Sequence, residues 1–240
     1  MKRHLDAFRS ALALLTILPY GRYSFDTNLS GLSTAYYSVI GLILALILFI
    51  LQMPLLALFE PIHTNIILFA LLVLLYGGLH FDGLSDTIDG LFVPQERALE
   101  VMKDPHAGTM GLLFSFLLLL LTLAAFVQIN DTIFIVIVLM ASRFFATFFL
   151  YRCDYISLNG IASKMKDEIE AIHVLTPFIL LFVITIILKP LLLLVLFFGF
   201  MAAQGMAIFF KRRYGGINGD ILGAIILVSE LVMFHSLLLV

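Results

Sequence analysis

From Thr34 to Leu58 the chain runs twenty-five residues without a charged side chain. An α-helix needs roughly 17–25 apolar residues to cross a bilayer, and comparable runs recur to the end of the sequence. Seven spans are expected, at about Thr34–Leu58, Ile62–Leu79, Thr109–Gln128, Thr132–Leu150, Val174–Leu188, Pro190–Phe210 and Ile221–Leu239. The runs lack the period-two alternation of barrel strands, so they read as helices. Composition agrees: 62% of the 240 residues are hydrophobic and only 12% charged, about half the charge of an ordinary soluble domain. The reading is an all-α integral membrane protein, a polytopic helical bundle forming one domain over residues 1–240. A short amphipathic helix, Leu5–Leu18, precedes the spans and is stopped by Pro19; it is too short to cross. Ser24–Ser33 is polar and reads as a loop. Met1–Arg9 is basic but shows no small-residue cleavage pattern, so no signal peptide is expected. The single cysteine, Cys153, excludes a disulfide framework and a Cys-rich metal site. No dense basic stripe suggests nucleic acid.

Positive charge orients the bundle. With the N-terminus inside, the inner segments hold Lys2, Arg3, Arg9, Arg22, Arg97, Lys103, Arg152, Lys164, Lys166, Lys211, Arg212 and Arg213. The outer turns hold only Lys189, and Arg143 falls within a span. Lysine and arginine accumulate on the cytoplasmic side of membrane proteins. The same orientation makes the outer turns short and the inner connections long and polar, so one membrane face is expected to carry the chemistry.

The most informative of those inner segments is Gly77–Gly90, Gly-Gly-Leu-His-Phe-Asp-Gly-Leu-Ser-Asp-Thr-Ile-Asp-Gly. In a helix its three aspartates, Asp82, Asp86 and Asp89, are four and three residues apart and share a face. Like charges there repel unless a cation sits among them, and carboxylate oxygens are the hard ligands that Mg2+ and Mn2+ prefer. The expectation is a divalent-metal site at the membrane surface, with His80 beside it as a base, a ligand or simply a polar residue at a span end.

Two further inner stretches belong with it. Met102–Gly111 breaks a helix at Pro105 and places Gly108 and Gly111 at the mouth of the next span, where exposed backbone amides suit a phosphate. Lys103 adds positive charge and Asp104 another oxygen. Lys211–Asp220 joins three cations to Gly215, Gly216 and Gly219, glycines that let a backbone approach a ligand closely. Asp220, at the start of the last span, is expected either to cap that helix or to join the metal site. Glu96, Arg97, Glu100 and Lys103 read mainly as surface pairs of little energetic weight.

Two charges lie inside spans. Glu230 is about 15 Å along the last helix from Asp220, and Arg143 roughly 12 Å from its inner end, at 1.5 Å per residue. Ionisable groups at that depth cost a few kcal/mol and mark functional or paired positions. Their similar depths predict an Arg143–Glu230 pair or a polar cavity between the two spans.

These residues resemble a known family. His80-Phe-Asp82-Gly83-Leu84-Ser-Asp86-Thr87-Ile-Asp89-Gly90 is similar to the His-x-Asp-Gly-Leu-x-Asp-Thr-x-Asp-Gly signature of the cobalamin synthases, the adenosylcobinamide-GDP ribazoletransferases. Leu-Thr-Ile-Leu-Pro ending at Pro19, Met102-Lys103-Asp104 with Gly108-Thr109-x-Gly111, and Gly215-Gly216-Ile-Asn-Gly219-Asp220-Ile-Leu222-Gly223-Ala224 followed by Glu230 resemble the family's other motifs in the same order. The chain lacks the proline of the family's Phe-Pro run at Tyr37–Gly41, and Tyr151–Tyr155 with Asn159–Ala162 matches its later loop only loosely. The resemblance implies that adenosylcobinamide-GDP is joined to α-ribazole, or to its 5′-phosphate, with release of GMP, in the last steps of coenzyme B12 assembly. It implies Mg2+ as cofactor and a multi-pass protein of the inner (cell) membrane, its active site facing the cytoplasm. Asp82, Asp86, Asp89 and His80 are then the catalytic candidates, with Asp82, Asp86, Asp89 and Asp220 as metal ligands. Lys103, Asp104, Gly108, Arg143, Arg152, Arg212, Gly216, Gly219 and Glu230 are the substrate-binding candidates. Beyond the two substrates and the lipid bilayer, a second copy of the chain or other B12-assembly enzymes stand as candidate protein partners. A CDP-alcohol phosphotransferase also sets spaced aspartates at a helix end, but no Ala-Arg follows Asp82-Gly83 here. A transporter would account for the intramembrane charges, yet no internal repeat is visible and the polar groups gather at one face.

Overall fold

The computed structural model describes residues 2–19, 31–157 and 161–240, Ile161 by its backbone alone. The expected inner Arg22, most of the Ser24–Ser33 loop, and Asn159 and Gly160 lie outside the described residues. The described part of that loop, Gly31–Thr34, is a helical turn. It leads into α2 (Tyr37–Leu56), which follows α1 (Lys2–Leu15). Then come α3 (Pro61–Leu75), α4 (Leu79–Leu91), α5 (Gln95–Val101) and α6 (Thr109–Phe126). A 3-10 turn (Thr132–Phe134) precedes α7 (Ile135–Arg152), followed by α8 (Ile161–Glu168), α9 (Ala171–Leu188), α10 (Leu192–Tyr214) and α11 (Gly219–Leu237). The only β-type pairing among the described residues is an isolated parallel bridge, Tyr155 to Ile217.

Six helices are long and apolar enough to cross a membrane, counting Gly31–Thr34 with α2, and the pair α3–α4 makes a seventh candidate. α7 and α11 form the centre. Nearly every residue of α7 from Ile135 to Leu150 is buried, as a helix that is apolar all round requires. Outside them, α6, α9 and α10 turn Phe116, Phe182 and Phe197 outward. A belt of that kind, on helices long and apolar enough to cross a bilayer, is a surface for lipid.

One boundary differs from the sequence expectation in a way that matters. The second span was expected to run through Leu79, but α3 stops at Leu75 and the chain turns by 79° into α4. Gly77 and Gly78 make the turn at φ 67° and 85°, where a side chain is strained and glycine is not. The end of the α1 segment seals this corner. The Ile17 N–H donates to the Leu75 carbonyl at 3.0 Å, and its side chain would lie 2.8 Å from a Cβ on Gly77. Leu-Thr-Ile-Leu-Pro therefore covers the bend that aims α4.

Candidate active site

Helix α4 is where the carboxylates start, and glycine sets how near its neighbours come. A Cβ on Gly83 would fall 2.9 Å from the Asp220 carbonyl oxygen, and one on Gly223 3.3 Å from the His80 Cα. Small residues at such a crossing let two helices meet backbone to backbone. The contact brings Asp82 and Asp86, one turn apart on α4, against Asp220 in the first turn of α11. Asp82 acts electrostatically on both Asp86 and Asp220, and Asp220 on Asp86. No cation is paired with any of the three among the described residues.

Asp89 meets a different neighbour. Its Oδ2 accepts the Gly108 N–H at 2.7 Å and its Oδ1 the Gly111 N–H at 2.8 Å. Gly108 is the residue before α6, so one carboxylate closes the N-terminus of that helix, satisfying orphan amides and complementing its dipole. A Cβ on either glycine would sit within 2.5 Å of an Asp89 side-chain atom, which is why the Gly-Thr-x-Gly spacing is built from glycines. Instead of awaiting a phosphate, these amides hold Asp89.

Beside the carboxylates lies a cavity of about 210 Å³. His80, Lys103, Gly219 and Asp220 line it, together with Tyr155, Ser157 and Asn218 from the chain around the bridge, and Leu15, Tyr37, Ala146, Leu150 and Ile226 below. Tyr155 was not foreseen: its phenol stands near Gly219, and burial first, then the charge of Asp220, pushes its pKa up to about 12. Asn218, not Asp220, caps α11, its Oδ1 accepting the Ile221 N–H at 2.9 Å. Its Nδ2 donates to Asp220 Oδ2 at 2.8 Å and so orients the Asp220 carboxylate. An Asn directly before a helix is the sequence signal for such a cap.

Other expected site residues lie apart from the cavity. Arg143 and Glu230 form the predicted ion pair, and both are buried. The Tyr76 hydroxyl donates to Glu230 Oε2 at 2.9 Å and the Ser142 hydroxyl donates to Glu230 Oε1 at 2.8 Å, while the guanidinium lies 4.5 Å from the centre of the Tyr76 ring. Tyr76 stands directly before Gly77, so the pair fastens α7 and α11 to the start of the bend. Asp104 is exposed and turns to His106, whose backbone and imidazole nitrogens lie 3.0 and 2.7 Å from Oδ1. Those bonds hold its carboxyl below the usual range. Gly216 is needed against its own chain: a Cβ there would meet the Asp154 carbonyl at 2.3 Å, where Ile217 N–H bonds Asp154 to form the bridge. Arg152 and Arg212 are exposed, Arg152 on a groove lined by Phe148 and Phe178. By sequence Lys166 is only a topological charge, but its ammonium bonds the Leu150, Tyr151 and Cys153 carbonyls at 2.7–2.9 Å and closes the end of α7.

The donor set can be weighed for a divalent ion. No three Asp, Glu, His or Cys side chains gather as a ready-made metal cage among the described residues. Mg2+ does not ask for one, since it is commonly held by one or two carboxylates, water and substrate phosphates. Asp82 and Asp86, uncompensated and adjacent, fit that arrangement.

An apolar outer belt, a buried centre and carboxylates beside a cavity where helices start and end define the class, a multi-pass membrane enzyme. The family model for cobalamin-5-phosphate synthase matches residues 7–238. Similar proteins named adenosylcobinamide-GDP ribazoletransferase occur in Acinetobacter baumannii (30% identical, covering 95% of each chain), Shewanella amazonensis (32%, covering 99% of this chain and 96% of the relative) and Brevibacillus brevis (28%, 95% and 96%). No solved structure matches. The chain belongs to the cobalamin-5-phosphate synthase family.

Proposed function

We propose that this chain joins adenosylcobinamide-GDP to α-ribazole or its 5′-phosphate, releasing GMP. The observation that carries the reading is the placement of uncompensated carboxylates from α4 and α11 beside a cavity that Lys103 also lines. A ribose hydroxyl forms a bond to the phosphorus on the cobinamide side of the diphosphate, and the bond from that phosphorus to the GMP oxygen breaks. An acceptor already phosphorylated at its 5′-oxygen must use a ring hydroxyl. Asp82 and Asp86 would hold Mg2+ with diphosphate oxygens; such an ion neutralises the phosphoryl and leaving-group charge. Asp220 lines the cavity with its carboxylate oriented by Asn218, and it takes the hydroxyl proton as general base. Lys103 holds a phosphate oxygen as a point charge. Asp89 keeps the start of α6 in place.

We place the site at the cytoplasmic face of the inner membrane. Every Lys and Arg except Lys189 and Arg143 falls, by sequence, in segments on the site's side of the bundle, the bias that marks the inner face. The test is purified protein in detergent or nanodiscs given both precursors and Mg2+. Equimolar GMP and a cobalamin product are expected. Intact precursors after prolonged incubation, with the protein folded, would refute the reading.

A further inference from the structure

The cavity beside Asp220 divides into two halves of different chemistry. Its exposed or half-buried lining, the mouth, holds Lys103, Tyr155, Ser157 and Asp220 together with Leu14 and Leu79, whereas Leu15, Tyr37, Ala146, Leu150 and Ile226 from α1, α2, α7 and α11 are buried and make its depth. The polar side chains in the deeper wall are engaged or sealed. The Tyr37 hydroxyl donates to the Met165 sulfur at 3.1 Å, the Asn218 amide serves Asp220 and Ile221, and His80 Nε2 is enclosed without a partner. The depth therefore offers surface and no hydrogen bonds. A guanine ring placed there would leave several polar edge atoms unpaired, each costing roughly 1–3 kcal/mol. A corrin ring is far larger than the space. An apolar cavity of about 150 Å³ takes one benzene, so about 210 Å³ suits two fused rings.

We infer that this cavity is the acceptor's base pocket: it takes the flat, apolar, two-ring base of a ribonucleoside and leaves the sugar at the mouth beside Asp220. This rests on the transfer reaction proposed above, in which α-ribazole supplies a benzimidazole base of that kind. The same slot sets specificity. It rejects bases with polar edges and the guanine of the donor, which keeps donor and acceptor in separate places.

The experiment changes the floor and reads the acceptor. Ala146→Phe fills the cavity, and Leu150→Ala deepens it. Binding of α-ribazole is measured directly by titration calorimetry on folded protein, and turnover by GMP release. Ala146→Phe is expected to weaken α-ribazole binding and raise its KM at least tenfold, with the KM for adenosylcobinamide-GDP unchanged. Leu150→Ala is expected to improve use of a naphthimidazole riboside at least tenfold relative to α-ribazole, and it carries the test if the phenylalanine variant does not fold. Wild type is expected to prefer α-ribazole to the α-riboside of adenine by at least a hundredfold. A response in the donor's KM, or unchanged acceptor preference in Leu150→Ala, overturns the pocket assignment. Acceptor binding that follows this pattern without any GMP release supports the pocket and refutes the reaction instead.

Discussion

Asp89→Asn separates a structural carboxylate from the proposed metal ligands seven and three residues before it. Both Asp89 oxygens accept backbone N–H bonds, at 2.7 and 2.8 Å. Asparagine keeps one acceptor and turns an NH2 toward the other amide, so at least one charge-assisted bond is lost. Such bonds contribute about 1.5–3 kcal/mol each. At 1.4 kcal/mol per tenfold, opening at the start of α6 should become roughly 10–150 times more frequent. Hydrogen exchange of the segment Gly108–Leu112, followed by mass spectrometry, reads this directly. Turnover should fall as Lys103 and the loop lose their footing, while the Mg2+ concentration for half-maximal activity stays as in wild type. A tenfold or larger rise in that concentration, with exchange unchanged, would refute the capping role and return Asp89 to the metal.

Two other perturbations test the scaffold. Glu230→Ala leaves Arg143 charged in a fully buried place; breaking such a pair costs about 3–5 kcal/mol, so Tm in detergent should drop on the order of 10 °C, and the apolar pair Arg143→Met with Glu230→Leu should regain most of it. A loss in the double variant equal to the sum of the two single losses would show that the charges do not depend on each other. Gly83→Ala forces α11 away, because its methyl would lie 2.9 Å from a backbone oxygen of Asp220; the protein should fold, with turnover reduced tenfold or more, and undiminished turnover would show that the crossing does not set the site.

Much of this was legible in the sequence, for physical reasons. Lipid enforces long uncharged helices, so the spans stood out from composition and run length. Two isolated charges inside apolar spans must find each other, so Arg143 and Glu230 could be paired by depth alone. Helical spacing placed the aspartates on one face of α4, as found. What spacing could not tell is which neighbour each one meets. Asp82 and Asp86 face α11, whereas Asp89, on the same face but a turn further on, reaches the start of α6. The 79° bend escaped because Leu79 continues the apolar pattern past Gly77 and Gly78, and only the positive φ of those glycines reveals the corner. Gly216 reads as an approach to ligand, but its partner is the Asp154 carbonyl, 62 residues earlier in the chain, a long-range contact that no local pattern encodes. Tyr155 was invisible because it joins the cavity only through the bridge to Ile217.

The central claim is that Asp82 and Asp86, and not Asp89, grip the ion that the diphosphate needs. Electron paramagnetic resonance of Mn2+ titrated into the protein with adenosylcobinamide-GDP bound tests it most directly. Wild type and Asp89→Asn should bind Mn2+ alike, and Asp82→Asn and Asp86→Asn at least tenfold more weakly. Unaltered binding in those two variants, or its loss in Asp89→Asn alone, would contradict the account.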